Sequence, residues 1–96
     1  MKIDFNNNSG NFEVKVEGRL DTTTAPDLDS FFGAHMDQIT TLTLDCEALE
    51  YVSSAGLRVL LSAQKKLKGA MKLTGVQPLV MEVFEMTGFA DILVIE

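Results

Sequence analysis

Hydrophobic residues follow two different periods along this chain, and the order in which those periods alternate constrains its fold more than any other feature. In "NFEVKVEGRL", apolar and polar residues alternate, which is typical of a strand with one buried face. The next segment, "DTTTAPDLDSFFGAHMDQI", changes to helical spacing. Its apolar stripe consists of Leu28, Phe31, Phe32, His35, Met36 and Ile39. The change of period therefore predicts a strand followed by an amphipathic helix.

The segments on either side extend this alternation. "KIDF" predicts a short strand, and the turn residues "NNNSG" join it to the alternating strand as a hairpin. After the first helix, the chain predicts a strand in "TTLTLDC", a helix in "SSAGLRVLLSAQKKLKG", a strand in Met71–Thr74, a helix in "QPLVMEVFEMTGF" and a strand in "DILVIE", with "EALEY" ambiguous. The order β-β-α-β-α-β-α-β predicts an α/β fold. Its sheet is mixed and mainly parallel, has four or five strands, and is flanked by helices.

Residues with strong positional preferences mark the predicted helix ends. Thr24 is a candidate N-cap for the first helix, with Asp27 at the capping-box position. Gly69 follows a lysine-rich last turn and is expected to stop the second helix. Pro78 fits the first position of the third helix, and Gly88 fits its end.

Length and composition favour a single domain that spans residues 1–96. Hydrophobic residues make up 46% of the chain, which is enough for one core without disulfides. The one cysteine, Cys46, excludes an internal disulfide and is expected to be a small buried residue. Because His35 is the only histidine, no Cys/His cluster has metal-ligand spacing, and we expect neither a metal nor a cofactor.

Charge and hydropathy exclude several classes of partner. The net charge of −6 leaves no basic footprint that would displace counterions from nucleic acid. No apolar run reaches the length of a membrane span, and "MKIDFNNN" lacks the apolar region of a signal peptide. We therefore expect a cytoplasmic protein without direct nucleic-acid binding and without membrane insertion.

The segment "YVSSAGLRVLL" places two hydroxyls and a glycine where the second helix begins. One serine serves as the N-cap, because a helix start leaves backbone N–H groups without partners. The other hydroxyl is left over, at or beside the first helical position. Gly56 has two interpretations: it lets another molecule approach the backbone, or it allows close packing of helix on sheet. A hydroxyl at this positively polarised helix end suits an anion, and phosphate is the obvious one.

Three segments in order resemble the STAS family, the anti-sigma factor antagonist domains. The turn in "LTLDCEALEYVSSAGLRVLL" is similar to the family's Ser-rich turn, and "LTGVQPLVMEVFEMTGF" is similar to its strand, turn and third helix. "GRLDTTTAPDL" resembles the family's entry into its first helix. The resemblance covers essentially the whole chain.

The resemblance implies a regulatory protein that performs no catalysis itself. Antagonists of this family bind an anti-sigma factor that is also a serine kinase of the histidine-kinase-like ATPase class. The kinase phosphorylates a serine in the turn, phosphorylation breaks the complex, and a serine phosphatase restores it.

The family's commoner turn is Asp-Ser-Ser/Thr-Gly-Leu, and this chain departs from it twice. Ser53 stands at the aspartate, Ser54 at the first serine and Ala55 at the second hydroxyl. We expect Ser54 to be the phosphorylation site, with Ser53 as N-cap and second candidate. If the second hydroxyl position takes the phosphate, Ala55 cannot accept it and the chain is unregulated.

The expected partner interface consists of the serine turn and the loop before the first helix. Its residues are Asp21, Thr22, Thr23, Ser53, Ser54, Gly56 and Arg58. Arg58 has three alternatives: a pair with a partner carboxylate, a pair with Glu50, or neither, which is the commoner case for an exposed arginine on a helix.

The sequence leaves three alternatives to the function of an anti-sigma factor antagonist. Some STAS domains are non-phosphorylated accessory subunits of membrane lipid transporter ATPases, and Ala55 with the missing aspartate favours that alternative. A nucleotide-binding module is weakly suggested by the anion-friendly turn. An enzyme would need a base near the serines, and His35 lies on the apolar stripe of a different helix.

Overall fold

A computed structural model describes all 96 residues and shows five strands, three α-helices and two short 3-10 turns. In chain order these are β1 (Lys2–Asn8), β2 (Asn11–Leu20), α1 (Ala25–His35), a 3-10 turn (Met36–Gln38), β3 (Thr41–Asp45), β4 (Leu49–Val52), α2 (Ser54–Lys66), β5 (Met71–Thr74), α3 (Pro78–Thr87) and a second 3-10 turn (Phe89–Asp91).

The strands form one mixed sheet in the order β1-β2-β3-β5, and β4 pairs with the end of β2. Only the β1–β2 hairpin is antiparallel; the other pairings are parallel. A register shift between Gly18 and Arg19 lies where β2 changes from β3 to β4 as its partner. The predicted fold class, a mainly parallel sheet with an antiparallel hairpin at its edge, is confirmed.

The hydrophobic core lies on one face of the sheet. Along β2, Phe12, Val14 and Val16 are buried, whereas Glu13 and Lys15 are exposed on the other face. Buried apolar residues of all three α-helices join the same cluster of 21 side chains, so the helices cover that face. Each fully buried aliphatic or phenylalanine side chain stabilises the fold by about 1.5–3 kcal/mol relative to exposure.

Three predicted elements differ from the observed ones. "EALEY", which was ambiguous, contributes the strand β4, so the observed order is β-β-α-β-β-α-β-α. The predicted last strand, "DILVIE", is wrong: it forms a single bridge between Leu73 and Ile95, because the 3-10 turn before it leaves few residues to extend. Residues 6–8 belong to β1, and the hairpin turn is only Ser9–Gly10.

The predicted helix ends are correct for α2 and α3, and at the start of α1 the N-cap position is correct but its capping bond is absent. Gly69 and Gly88 adopt left-handed φ values of 85° and 80° just beyond α2 and α3. Thr24 occupies the N-cap position without a capping bond, since its hydroxyl donates to the Arg19 carbonyl and accepts from the Asp21 N–H. The predicted capping box is therefore absent: the carboxylate of Asp27 makes no hydrogen bond. None of the helices combines the length and the apolar character that crossing a bilayer requires.

Candidate functional site

Two loops meet where the parallel strands β2 and β4 end. Leu20 pairs with Val52, and the Ser53 N–H donates to the Leu20 carbonyl over 2.9 Å. The carboxyl ends of neighbouring parallel strands lie at the same edge of a sheet, which is where α/β domains commonly build their sites. The loop after β2 and the serine turn after β4 are therefore neighbours.

Ser53 is the N-cap of α2, as predicted. Its backbone is extended, with φ −93° and ψ 174°, and its Oγ accepts from the Gly56 N–H at 3.4 Å. The Leu57 N–H then donates to the Ser53 carbonyl over 2.9 Å, which closes the first helical turn. The hydroxyl of Ser53 is thus engaged in starting the helix.

Ser54 is the first residue of α2, and its side chain is exposed. Its hydroxyl makes no hydrogen bond within the chain, and the N–H groups of Ser54 and Ala55 have no acceptor. The helix start also carries the equivalent of roughly half a positive charge. An exposed hydroxyl beside two free N–H groups at this position is chemically suited to carry an anion.

Gly56 is buried against β2. A Cβ on Gly56 would lie 2.6 Å from the Leu20 Cγ and 3.0 Å from the Leu20 carbonyl oxygen. Helix–sheet packing is therefore the interpretation that the structure supports. The membership of Gly56 in the partner interface stays a prediction; in the fold it is buried and holds the start of α2 against the sheet.

Asp21 organises the loop between β2 and α1. Its Oδ1 accepts from the Thr23 hydroxyl at 2.7 Å, the Thr23 N–H at 3.0 Å and the Thr24 N–H at 3.2 Å. The Thr23 hydroxyl bond is the main cause that lowers the pKa of Asp21, partial desolvation opposes it, and the backbone bonds add to it. The carboxylate is thus ionised at neutral pH and fixed in the loop, while Thr22 and Thr23 are exposed around it.

Arg19 and Tyr51 add a contact that sequence reasoning missed. They are paired residues of β2 and β4, and the Arg19 guanidinium carbon lies 4.2 Å from the centroid of the Tyr51 ring. The Arg19 Nε also lies 3.7 Å from the Asp21 Oδ2. The only sequence signal was an aromatic residue and an arginine near the two loops, and the strand pairing that joins them was not predicted.

Arg58 lies one helical turn after Ser54, so both residues share a face of α2. Its side chain is exposed and forms no ion pair, so the predicted alternative of a pair with Glu50 is wrong. The structure therefore brings together the loop of Asp21–Thr23 and the serines, with Arg58 beside them.

His35 belongs to a separate aromatic cluster. Its ring lies 4.5 Å from Phe31 and 4.9 Å from Phe5, centroid to centroid, and its Nδ1 is 2.8 Å from the Phe31 carbonyl oxygen. No group of three or more His, Cys, Asp or Glu side chains has the geometry to hold a metal ion.

The fold and this geometry define a class: a small α/β domain, covered by helices on one face, that presents an unpaired serine at a helix start beside an Asp-Thr loop. The family model of the STAS domain matches residues 2–96. The chain belongs to the STAS-domain family, and the predicted resemblance is confirmed.

Similar proteins agree with this assignment. BtrV of Bordetella bronchiseptica, which carries the name of an anti-sigma factor antagonist, is 34% identical over 96 residues, covering 96% of this chain and 83% of BtrV. A crystal structure of an anti-sigma factor antagonist from Mycobacterium paratuberculosis has a TM-score of 0.85 at 26% identity, over 98% of this chain and 83% of that one. The Bacillus cell fate determinant SpoIIAA in its phosphorylated form has a TM-score of 0.74 at 16% identity, over 99% of this chain and 91% of that one, and shares the fold.

Proposed function

We propose that the chain is an anti-sigma factor antagonist that is switched off by phosphorylation of Ser54. The names of its similar proteins support the antagonist role. The observation that carries the switch is the exposed Ser54 hydroxyl, unpaired beside two free N–H groups at the start of α2. The docking surface consists of Asp21, Thr22, Thr23, Ser53, Ser54 and Arg58.

The proposed partner is an anti-sigma factor that is also a serine kinase of the histidine-kinase-like ATPase class. In the transfer step, the Ser54 Oγ attacks the γ-phosphorus of ATP and loses its proton. An Oγ–P bond forms, the bond to the β–γ bridging oxygen breaks, and ADP leaves. A serine phosphatase reverses the modification by hydrolysis, and the proposed partners are consistent with a cytoplasmic location.

The fold tolerates a phosphate on Ser54. The group adds about −1.5 to −2 charges at neutral pH. At the first position of α2 the helix dipole attracts these charges, and the free N–H groups of Ser54 and Ala55 are available as donors. Phosphorylation therefore leaves the domain folded.

Phosphorylation of Ser54 weakens binding to the anti-sigma factor. The phosphate would lie at the same edge of the sheet as the fixed carboxylate of Asp21, on a chain whose net charge is already −6. An interface formed around a neutral hydroxyl would have to bury a dianion without a matching cation, at several kcal/mol. Because each 1.4 kcal/mol is about tenfold in affinity, a hundredfold switch requires no change of shape.

Ser53 is the second candidate for the phosphorylation site, but its hydroxyl already has a role in the fold, which favours Ser54 as the site. The Ser53 hydroxyl already accepts from the Gly56 N–H, so a phosphate at Ser53 would disturb the cap of α2. The Ser54 hydroxyl has no such role.

The test is to incubate the chain with candidate kinases and ATP and to locate the phosphate by mass spectrometry. We expect modification at Ser54, its loss in Ser54→Ala and its retention in Ser53→Ala. A kinase that binds the chain but modifies neither serine would contradict the switch and leave the antagonist role standing. Co-purification with a lipid transporter ATPase would instead support the alternative of an accessory subunit.

A further inference from the structure

One edge of the sheet is open. β1 pairs with β2 on one side only, through all seven of its residues, and nothing in the chain pairs its other side. At the opposite end of the sheet, β5 is partly covered, because Leu73 exchanges two 2.8 Å backbone bonds with Val94 and Glu96. An uncovered strand of this length exposes a row of unpaired N–H and C=O groups, which is a template for another strand.

The hairpin turn determines which backbone groups face outward. Ser9 and Gly10 form a two-residue loop with φ values of 56° and 92°, and Asn8 and Asn11 close it. In such hairpins the closing residues are a hydrogen-bonded pair, and bonded and non-bonded pairs then alternate along the strands. The even-numbered residues of β1 thus bond to β2. The residues whose N–H and C=O groups point outward are Ile3, Phe5 and Asn7.

Phe5 makes this edge apolar on the face that carries the helices. Its side chain is 44% exposed although its ring stacks 5.7 Å from Phe12 and meets Phe31 edge-on at 5.1 Å. Helix α1 therefore contacts the ring but leaves its outer side uncovered. A second strand at this edge would cover that side.

We propose that β1 pairs antiparallel with β1 of a second copy of this chain about a two-fold axis, with Phe5 opposite Phe5. This register uses all the outward groups, because Phe5 bonds to its own counterpart and Ile3 bonds to Asn7 of the second copy. On the polar face it sets Asp4 opposite Asn6 of the second copy. A register shifted by one residue on each strand would set Asp4 opposite Asp4, and like charges directly opposite each other are destabilising.

The dimer is weak and concentration-dependent. Seven residues from each chain bury less surface than the standard interface of about 1,200–2,000 Å². The net charge of −6 on each copy adds a repulsion that salt screens. Association therefore increases with ionic strength, and the docking surface stays free because it includes no residue of β1.

The experiment is sedimentation equilibrium of the full chain up to millimolar concentration, with charge variants on the polar face of β1. In the proposed register Asn6 faces Asp4 of the second copy, and Asn8 faces Lys2 of the second copy. We expect Asn6→Lys and Asn8→Asp to tighten the dimer, and Asn6→Asp and Asn8→Lys to weaken it. Each change alters two symmetric contacts, so the dissociation constant shifts by roughly twofold to thirtyfold.

In the proposed register, lysine strengthens the dimer at position 6 and weakens it at position 8. A general effect of net charge would instead strengthen the dimer in both lysine variants, so the two explanations are distinguishable. Thermal unfolding of each variant checks that the hairpin is intact. A chain that stays monomeric at millimolar concentration and high salt would overturn the proposal. So would a dimer with the same dissociation constant in all four variants.

Discussion

Gly56 lies so close to Leu20 that a Cβ at this position would stand 2.6 Å from the Leu20 Cγ. Gly56→Ala should therefore destabilise the domain, because Leu20 is fully buried and has no room to move. The strain of such overpacking is typically about 1–3 kcal/mol. Alanine gains about 1 kcal/mol in helix propensity, so we expect a net loss on the order of 1 kcal/mol in urea denaturation.

Gly33→Ala is the matched control. Gly33 lies inside α1, and a Cβ there meets nothing within 4 Å. Both variants share the gain in helix propensity, so the difference between their free energies of unfolding measures the contact with Leu20. Equal stabilities of the two variants would contradict the close approach.

Most of the fold was predictable because its strongest signals are local. The alternation of β2, the apolar stripe of α1 and the glycines after α2 and α3 all depend on neighbouring residues. β4 was ambiguous because its burial follows buried, exposed, exposed, buried, which breaks the two-residue period of a strand. β2, the partner of β4, has a register shift between Gly18 and Arg19, opposite this irregular burial pattern. Such a shift depends on how the strands pair, so it was not predictable from the sequence of either strand.

The candidate site was predictable in its serines but not in the contacts around them. Ser53 as N-cap follows from the helix that begins after it. Thr24 was correctly predicted at the N-cap position of α1, but its missing capping bond was not predictable, since only the folded loop shows that Asp21 accepts hydrogen bonds from the threonines. The stacking of Arg19 on Tyr51 depends on pairing between β2 and β4, to which no local pattern points.

The two serines should differ in their effect on stability. Ser53→Ala removes the oxygen that accepts from the Gly56 N–H, so we expect a loss of about 1 kcal/mol. Ser54→Ala removes a hydroxyl without a partner, so its free energy of unfolding should stay within about 0.5 kcal/mol of the parent. Urea denaturation of both variants measures the difference, and a larger loss for Ser54→Ala would reverse the assignment of the cap.

Asp21 should make the stability depend on acid pH. Its folded pKa lies below 3.8, so its charge stabilises the folded state above that value, and this contribution is lost as the pH falls through the folded pKa. Asp21→Asn should therefore be less stable than the parent at neutral pH, and the gap should close in strong acid. Urea denaturation across this range is the measurement, and a gap that does not depend on pH would contradict the role of the charge.

Thr23→Val tests the cause of the lowered pKa. The substitution removes the hydroxyl whose hydrogen bond is the main cause of the lowered Asp21 pKa, with little change in side-chain shape. The pKa of Asp21 should therefore rise toward 3.8, as measured by an NMR titration of its carboxyl carbon.

Cys46 should be unreactive in the folded protein. Burial, with a smaller contribution from the charge of Asp45, raises the pKa of its thiol from 9.0 to about 12, so the reactive thiolate is scarce at mildly alkaline pH. A chromogenic disulfide reagent should label Cys46 only after unfolding in guanidinium chloride. Rapid stoichiometric labelling of the native chain would show that the thiol is accessible.

The charge on Ser54 should decide binding to the anti-sigma factor. Ser54→Asp places a carboxylate at the first position of α2, where the fold accepts it and the partner does not, so we expect affinity to fall at least tenfold in calorimetric titration. Ser54→Ala should bind like the unmodified chain and resist inactivation by ATP. Ser30→Asp is the matched control, because it adds the same charge at an exposed position of α1 outside the docking surface. If Ser54→Asp and Ser54→Ala bind equally well, the negative charge is not the signal that the partner detects.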